Sequence, residues 1–210
     1  MPVLEERVNL MLSLMAKYVK LLDMGCNDGR YTIKFAKNSK EAIGIDLIKS
    51  RIKQAKSHKI KSIKFEVMNV LKTRFKEKTF DCIIAGELLE HIKNPNSLLI
   101  EVRRILKNDG DFIFSTPNRN RPTSLVRKLI GKKIEFPRKV GHMMSDKLQT
   151  SGDYHYNEFS MNELKQLLNR NGFITEKIYG APVFYKFGGK WLGRAFPKLS
   201  SVFVVKAKKI

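Results

Sequence analysis

The stretch LLDMGCNDGR, residues 21–30, decides the fold of this chain. An apolar run ends at Gly25, and a second glycine, Gly29, follows four residues later. The pattern predicts a buried strand, a tight turn and the start of a helix. Gly25 can adopt backbone angles that other residues avoid, so a ligand can come close to the main chain. Asp23 falls near the carboxyl end of the strand, where open α/β sheets bind their ligands.

A second acidic residue narrows the kind of ligand. The next apolar strand, EAIGIDL at residues 41–47, carries Asp46 near its end. Asp46 follows Gly25 by about 20 residues, the spacing at which an acid reaches the two hydroxyls of a ribose. A glycine turn alone is equally well explained by tight packing between two elements. The turn and the acid together indicate a cofactor that carries a nucleoside.

NAD and S-adenosylmethionine both carry such a ribose. The NAD fingerprint G-x-G-x-x-G is not met, because the turn reads GCNDG at residues 25–29. The turn resembles the D-x-G-x-G-x-G turn of class I S-adenosylmethionine-dependent methyltransferases, with Asn27 in place of the middle glycine. Asn tolerates left-handed backbone angles better than most residues, so the substitution is compatible with the turn.

Length and composition are those of one globular domain. The 210 residues are enough for a full core, and 42% of them are hydrophobic. No apolar run of about 18 residues exists, so no transmembrane helix is predicted. The first residues, MPVLEERV, carry acids where a signal peptide carries bases, which favours a cytoplasmic location. Cys26 and Cys82 fall in predicted core elements, so buried reduced thiols are favoured over a disulfide.

The charge of the chain is strongly positive. Lysine and arginine number 41 against 20 acids, which gives a formal net charge of +21. This balance favours an anionic partner: nucleic acid, a phospholipid surface or a phosphorylated substrate. Lysine is spread along most of the chain, however, and a lysine-rich proteome explains that spread equally well.

Predicted strands and helices alternate from residue 20 to residue 116, which is typical of a parallel doubly wound sheet. An apolar helical stripe over residues 4–19 precedes them and is expected to lie against the sheet and help close the cofactor cleft. The predicted strands cover residues 20–24, 42–46, 62–68, 79–85, 111–115, 173–179 and 199–206. The predicted helices cover residues 4–19, 30–38, 48–58, 94–106 and 161–170.

The runs FDCIIAGELLEHI and EVRRILKNDGDFIFSTPNRN closely resemble the methyltransferase type 11 group. Within that group the ubiquinone-biosynthesis O-methyltransferases are nearest, through the ELLEH and STPNRN stretches. The resemblance covers roughly residues 20–120 and resumes at 155–173. It implies a Rossmann-like α/β sheet of seven strands, mostly parallel, whose last strand inserts antiparallel between strands five and six. It also implies S-adenosylmethionine as the cofactor.

The resemblance further implies which residues hold the cofactor. Asn69 follows the third strand, where the class often places a side chain that meets the adenine amino group, and Val70 would donate a backbone N–H. The cofactor-binding residues implied in this way are Asp23, Gly25, Asn27, Gly29, Asp46, Leu47, Asn69, Val70 and Gly86.

Residues 117–154 interrupt the alternating pattern as a basic insertion or lid within a single methyltransferase domain, residues 1–210. The predicted short helix in the insertion has apolar residues on one face between residues 125 and 130. Such a helix can lie on an anionic membrane, fold over the substrate, or be part of an ordinary surface loop. In the resembling ubiquinone enzymes this position carries a membrane-contacting insertion, so residues 119–139 are a candidate for peripheral membrane contact. The bases of this segment are Arg119, Arg121, Arg127, Lys128, Lys132, Lys133, Arg138 and Lys139.

Two histidines are candidate catalytic residues. Methyl transfer from a sulfonium depends mainly on in-line alignment, but a base helps when the acceptor is a hydroxyl. His91 follows the fourth strand, and His155 follows the insertion. Each is a candidate base, and each has the alternative of bonding only to its own loop.

The same histidines raise the question of a metal. Glu87, Glu90 and His91 form E-x-x-E-H and, with His155, resemble the metal site of small-RNA 2′-O-methyltransferases. Carboxylate and imidazole ligands of this kind suit Mg²⁺ or Mn²⁺. The ELLEH stretch is also widespread in methyltransferases without a metal, so no metal is predicted.

Three functions remain open at this stage. The first is a methyltransferase acting on a hydroxyl, or an amine, of a small or lipid-linked molecule. The second is an RNA methyltransferase, which the charge and the metal-like residues favour, although the chain carries no appended RNA-binding module. The third is a non-catalytic cofactor-binding partner subunit, against which the intact glycine and acid positions argue.

Overall fold

The computed structural model describes residues 2–122, 124, 135–139, 154–181 and 197–210. Helices and strands alternate through most of the described chain. In chain order they are α1 (Pro2–Leu14), β1 (Tyr18–Met24), α2 (Arg30–Ala36), β2 (Ser39–Asp46), α3 (Lys49–Ser57), β3 (Ile63–Val67), β4 (Phe80–Gly86), a 3₁₀ turn (Leu89–His91), α4 (Pro95–Ile105), β5 (Leu106–Pro117), β6 (Arg138–Lys139), β7 (Tyr154–His155), α5 (Met161–Arg170), β8 (Phe173–Ala181), a second 3₁₀ turn (Pro197–Leu199) and β9 (Val202–Lys209).

Seven strands form one sheet in the order β3-β2-β1-β4-β5-β9-β8. Strands β1 to β5 pair in parallel, and β9 runs antiparallel to both of its neighbours, β5 and β8. This confirms the Rossmann-like doubly wound sheet, including the antiparallel last strand. The strand order reverses between β1 and β4, and the crevice at such a reversal is where open α/β sheets bind ligands.

Apolar layers cover both faces of the sheet. The alternating direction of side chains in a strand sends Leu22 and Met24 to one layer and Leu21 to the other. Helices α4 and α5 pack on the first layer, and α1, α2 and α3 pack on the second. The sheet is therefore held from both sides, and its carboxyl edge is left for the site.

The first helix is shorter than its apolar stripe suggested. It ends at Leu14, and β1 begins at Tyr18, so the prediction that the helix continues to Val19 was wrong. The Tyr18 hydroxyl donates to the Asp111 carboxylate at 2.6 Å, and Tyr18 pairs with Ser39 on β2. These long-range contacts outweigh a local helical periodicity. Val19 therefore belongs to β1 and not to the apolar stripe of the helix, and its side chain is 53% exposed.

The fifth strand begins earlier than predicted. Residues 107–110, expected to close helix α4 and turn, belong to β5, which starts at Leu106. The pairing of β4 with β5 shifts register between Phe80 and Cys82. This irregularity accommodates the early start, because Leu106 pairs with Phe80 and Asp111 pairs with Cys82.

Two short strands of the insertion pair with each other in a separate two-stranded sheet. Strand β6 runs antiparallel to β7, and Arg138 lies opposite His155. The predicted apolar helix face at residues 125–130 and the polar stretch 141–153 lie outside the described residues. Among the helices of the described chain, none is long and apolar enough to cross a membrane. Cys26 and Cys82 are both buried free thiols.

Candidate cofactor and active site

The glycine turn after β1 has left-handed backbone angles at three positions. They are Gly25, Asn27 and Gly29, with φ values of 75°, 51° and 78°. Asn27 adopts the conformation that the family's middle glycine would take, which Asn tolerates. A Cβ on Gly29 would lie only 2.7 Å from the Phe65 ring, so no other residue fits there without a shift. The turn is therefore complete despite the departure from the motif.

Asp46 lies directly beside this turn, at the end of β2. One carboxylate oxygen accepts the N–H of Asn27, and the other accepts the N–H of Ile48, both at 2.9 Å. Gly25 donates its N–H to the Ile45 carbonyl at 2.8 Å. Hydrogen bonds thus join the glycine turn to the end of β2, the two segments whose spacing in the sequence indicated a common site. Leu47, the next residue, is 60% exposed.

The segment after β3 joins the same edge. The N–H of Met68 donates to the Asp46 carbonyl at 3.0 Å, which places Asn69 beside the acid. Asn69 is exposed, and its side-chain oxygen accepts the N–H of Leu71 at 2.9 Å. An amide oxygen has two lone pairs, so this bond leaves acceptor capacity, and the NH₂ group remains a donor. Val70 is buried beside it.

Asp23 occupies a different position from the other predicted cofactor residues. It is buried beneath the turn, where its carboxylate accepts the Thr32 hydroxyl at 2.6 Å. Burial raises its pKa to about 7, and the bond from Thr32 opposes that rise. Asp23 therefore ties the end of β1 to α2 from below.

The loop after β4 closes against the glycine turn. A Cβ on Gly25 would meet the Leu88 side chain at 3.2 Å, so only a glycine leaves this contact relaxed. Glu87 has a left-handed φ of 53°, and its carboxylate accepts the Ser115 hydroxyl at 2.9 Å. Gly86 precedes it at the end of β4. The loop is thereby held by β5 on one side and by the turn on the other.

Glu90 and His91 follow in the 3₁₀ turn. Glu90 is fully buried, and one of its oxygens accepts the Thr116 hydroxyl at 3.2 Å. Its other oxygen is buried without a hydrogen-bond partner. Burial raises the pKa of Glu90 well above its ordinary value, and the nearby Glu87 adds to the rise. His91 points its Nδ1 at the Tyr154 carbonyl, 2.9 Å away.

The chain returns from the insertion next to this turn. The N–H of Tyr156 donates to the Glu90 carbonyl at 2.8 Å. The rings of His91 and His155 meet edge to face with their centres 5.0 Å apart. The two histidines predicted as candidate bases, 64 positions apart in the chain, therefore lie side by side.

Glu158 anchors the return segment. Its buried carboxylate receives Arg121 Nη1 at 2.6 Å and Nη2 at 3.2 Å, and it also lies 3.2 Å from His155 Nδ1. Arg119 donates to the Glu158 carbonyl at 2.8 Å. Neither Glu158 nor Arg121 was predicted as a site residue, because the sequence does not show where the insertion returns.

A family model described as a methyltransferase domain matches residues 4–177. The chain belongs to this methyltransferase family. Together with the class I fold, this membership makes the protein an enzyme whose cofactor is S-adenosylmethionine.

Curated relatives and solved structures agree with this assignment. The mitochondrial ubiquinone biosynthesis O-methyltransferase of Rattus norvegicus is 26% identical over 82% of this chain and 49% of its own length. The ubiquinone biosynthesis O-methyltransferase of Saccharophagus degradans is 26% identical over 77% of this chain and 66% of its own length. The methyltransferase thus spans only part of these relatives. A crystal structure of an S-adenosylmethionine-dependent methyltransferase from Mesorhizobium loti shares the fold, with a TM-score of 0.68 and 17% identity over 99% of this chain and 98% of that chain.

Arg7 of the methyltransferase was not predicted as a site residue. It lies on α1, is largely buried, and places Nη1 3.5 Å from a Glu87 oxygen. Its Nε is buried without a hydrogen-bond partner. Met11, one helical turn later, lies over Gly86, with its Cε 4.0 Å from where a Cβ would stand. Arg7 therefore lies on the same buried face of α1 as Met11 and contacts the loop after β4. The sequence contains a signal for this position, because residues four apart in a helix lie on one face.

One group of side chains in the described part of the methyltransferase has the geometry to hold a metal ion. Glu90, His91 and His155 each offer a ligand atom, and these atoms lie within 4.8 Å of one another. Glu87, the fourth member of the sequence pattern, turns instead toward Ser115 and Arg7. That the enzyme needs no metal stays a prediction.

Proposed function

We propose that this methyltransferase binds S-adenosylmethionine at the carboxyl edge of β1, β2 and β3 and transfers the methyl group to a hydroxyl or amine of a small or lipid-linked molecule. The observation that carries the proposal is the hydrogen-bonded contact between Asp46 and the glycine turn. It unites a ribose-binding acid with a turn open to a ligand at one edge of the sheet.

Each part of the cofactor has a candidate partner. The Asp46 carboxylate would accept the ribose hydroxyls, and Leu47 offers exposed apolar surface next to it. Asn69 and the backbone of Val70 would contact the adenine edge. The glycine turn at residues 25–29 keeps side chains away from the cofactor, while the buried Asp23 supports it from below.

The amino-acid end of the cofactor requires a cation and backbone donors. Arg7 supplies a largely buried guanidinium beside Glu87, and a guanidinium binds a carboxylate by two parallel hydrogen bonds. The bound cofactor supplies a methyl group on a sulfonium, which is already a good leaving group. The enzyme's own contribution is to hold the acceptor in line with that methyl group and to exclude water.

Two observations favour a hydroxyl acceptor. His91 and His155 stand together next to the loop after β4, where a base can receive the proton of a hydroxyl. The curated relatives are named as O-methyltransferases, although the chain covers 49% of one and 66% of the other.

A methyl-transfer screen tests this proposal. Protein and labelled S-adenosylmethionine would be incubated with hydroxyl and amine small molecules, a lipid extract, total protein and total RNA. We expect label in small molecules or lipid, and none with Asp46→Ala. Label confined to protein or RNA would refute the acceptor class, and no cofactor binding at all would refute the site.

Methylation of an RNA 2′-hydroxyl is the second candidate function. The net charge of +21 and the proximity of Glu90, His91 and His155 favour it. It ranks second because the curated relatives are named as O-methyltransferases of ubiquinone biosynthesis. In the same screen, RNA labelling that a chelator abolishes and Mn²⁺ restores would move this function to first place.

Peripheral contact with an anionic membrane through residues 119–139 is a further part of the proposal. In the described part of this segment two bases are paired with acids of the protein, Arg119 with Glu163 and Arg121 with Glu158. The proposed contact rests on the sequence of the segment, which also carries Arg127, Lys128, Lys132, Lys133, Arg138 and Lys139.

A further inference from the structure

The carboxylate of Glu158 sets the protonation of the neighbouring imidazole. An ionised carboxylate only accepts hydrogen bonds, so His155 Nδ1, at 3.2 Å from Glu158 Oε1, must carry the proton. In the neutral ring the lone pair is then on Nε2. His155 is thus presented as a proton acceptor on the side of the ring away from Glu158.

Arg121 makes this arrangement possible. A fully buried carboxylate without a counter-charge is costly, and Arg121 supplies one through two hydrogen bonds of 2.6 and 3.2 Å. The same pair fixes the position of Glu158, because a planar guanidinium binds a carboxylate in one geometry. Glu158 can therefore orient His155 and remain ionised.

The two histidines differ in the group that their Nδ1 atoms contact. His155 directs Nδ1 to the Glu158 carboxylate at 3.2 Å, whereas His91 directs Nδ1 to the backbone carbonyl of Tyr154 at 2.9 Å. A side-chain partner can be removed by substitution and a backbone carbonyl cannot, so the arrangement at His155 is the one that a variant can test.

We propose that Glu158 is a positioning residue that prepares His155 as the general base of the methyl transfer, an inference that rests on the proposed hydroxyl acceptor. The acceptor oxygen forms a bond to the methyl carbon, and the carbon–sulfur bond breaks with its electron pair remaining on sulfur. The hydroxyl proton moves to His155 Nε2 and is then released to water. The products are a methyl ether and S-adenosylhomocysteine.

The first test needs no substrate. Long-range ¹H–¹⁵N spectra of the histidine-labelled full chain, with His155→Gln for assignment, report which nitrogen carries the proton. We expect the neutral His155 ring to be protonated on Nδ1, and the preference to weaken in Glu158→Gln. A neutral ring protonated on Nε2 in the wild type would overturn the inference, whatever the substrate is.

The second test uses catechol and 4-nitrocatechol as acceptors, because the hydroxyl of the nitro compound is largely ionised near neutral pH and needs little help from a base. With catechol, His155→Gln should lower kcat by about 10²–10⁴-fold, and Glu158→Gln should lower it by a smaller factor. Both losses should shrink with 4-nitrocatechol. Calorimetry should show unchanged affinity for S-adenosylmethionine in both variants.

Glu163→Gln is the matched control. Glu163 lies five residues after Glu158 and likewise pairs with an arginine, Arg119 at 2.8 Å. Its carboxylate bonds to Ser160 and, among the described residues, to no imidazole. Its kcat should equal that of the wild type.

Equal losses of kcat with both catechols would overturn the role of His155 as a base and leave a structural role. Activity that a chelator abolishes and Mg²⁺ restores would also overturn it, because a metal would then occupy the imidazole. If the wild type methylates no hydroxyl acceptor, the proposed function fails, and the spectra still decide the tautomer.

Discussion

At the scale of single residues, the Asp46 carboxylate is the proposed acceptor of the ribose hydroxyls. Its carboxylate already accepts two backbone N–H groups, from Asn27 and Ile48, so it is held rigidly at the edge of the sheet. Each carboxylate oxygen has a further lone pair for a ribose hydroxyl. Rigid placement of this kind lowers the entropy lost on binding.

Replacing this residue should therefore remove cofactor binding. For Asp46→Ala we expect no calorimetrically detectable binding of S-adenosylmethionine, with circular dichroism showing an intact fold. Glu41→Ala is the control, because Glu41 lies on the same strand and its side chain is 69% exposed. Unchanged affinity in Asp46→Ala would show that the ribose has another partner.

Asp23 makes stability depend on pH in an unusual direction. Burial disfavours the charge and raises the pKa of Asp23 from its ordinary value of 3.8 to about 7 in the folded protein. Between these pH values the folded protein holds a proton that the unfolded chain has lost. The free energy of unfolding contributed by this group therefore falls as pH rises through the window.

Asp23→Asn should remove this dependence, since an amide does not titrate there. We expect the stability of the variant relative to wild type to rise by about 1.4 kcal/mol per pH unit between roughly pH 4 and 7. Urea denaturation at several pH values measures it. Parallel pH curves for the two proteins would contradict the raised pKa of Asp23.

At the scale of elements, α1 acts as a cover for the loop after β4. Met11 lies over Gly86, and Arg7 reaches Glu87 from the same face of the helix. Arg7 also opposes the burial-driven rise in the pKa of Asp23 and of Glu90. One helix thus brings a single positive charge to three buried or half-buried acids.

If Arg7 binds the carboxylate of the cofactor, its removal should affect only ligands that have that group. We expect Arg7→Met to weaken S-adenosylmethionine at least tenfold and to leave the affinity for 5′-methylthioadenosine, which lacks the amino acid, unchanged. Glu5→Gln, on the exposed side of α1, is the control. An equal loss for both ligands would indicate that Arg7 only supports the fold of the cleft.

At the scale of the whole molecule, some of the basic side chains are already paired with acids of the protein. These acids are buried or partly buried, and the bases paired with them are Arg104, Arg119, Arg121 and Lys206. The sequence of residues 119–139 combines bases with an apolar helical pattern, which is typical of contact with an anionic surface.

The insertion should therefore bind vesicles in a salt-dependent way. Each base near an anionic membrane contributes about 1 kcal/mol, and salt screens it. We expect Lys132→Glu/Lys133→Glu to weaken co-sedimentation with anionic vesicles. The control Lys53→Glu/Lys56→Glu, on α3, changes the net charge equally and should bind like wild type. Equal loss in both double variants would point to net charge alone.

The sequence by itself determined the sheet, the glycine turn and the position of Asp46 beside it. These features depend on apolar periodicity and on spacings of about 20 residues, which are local enough to survive in a linear pattern. The S-x-x-E pattern at residues 160–163, which is typical of a capping box, forms one at the start of α5. The errors found in the described residues lie at element boundaries such as the start of β1, where a contact from Tyr18 to Asp111 across the sheet outweighed the local pattern.

Only the tertiary structure decided what surrounds the candidate bases. His91 meets the Tyr154 carbonyl across 63 positions, and Arg121 meets Glu158 across 37. An insertion lies between the partners, and its length and composition do not specify where the chain returns. The position of Arg7 in the site likewise depends on the packing of α1 over a distant loop. Burial and counter-charge at such sites arise from contacts between distant segments, so they exist only once the sheet has brought those segments together.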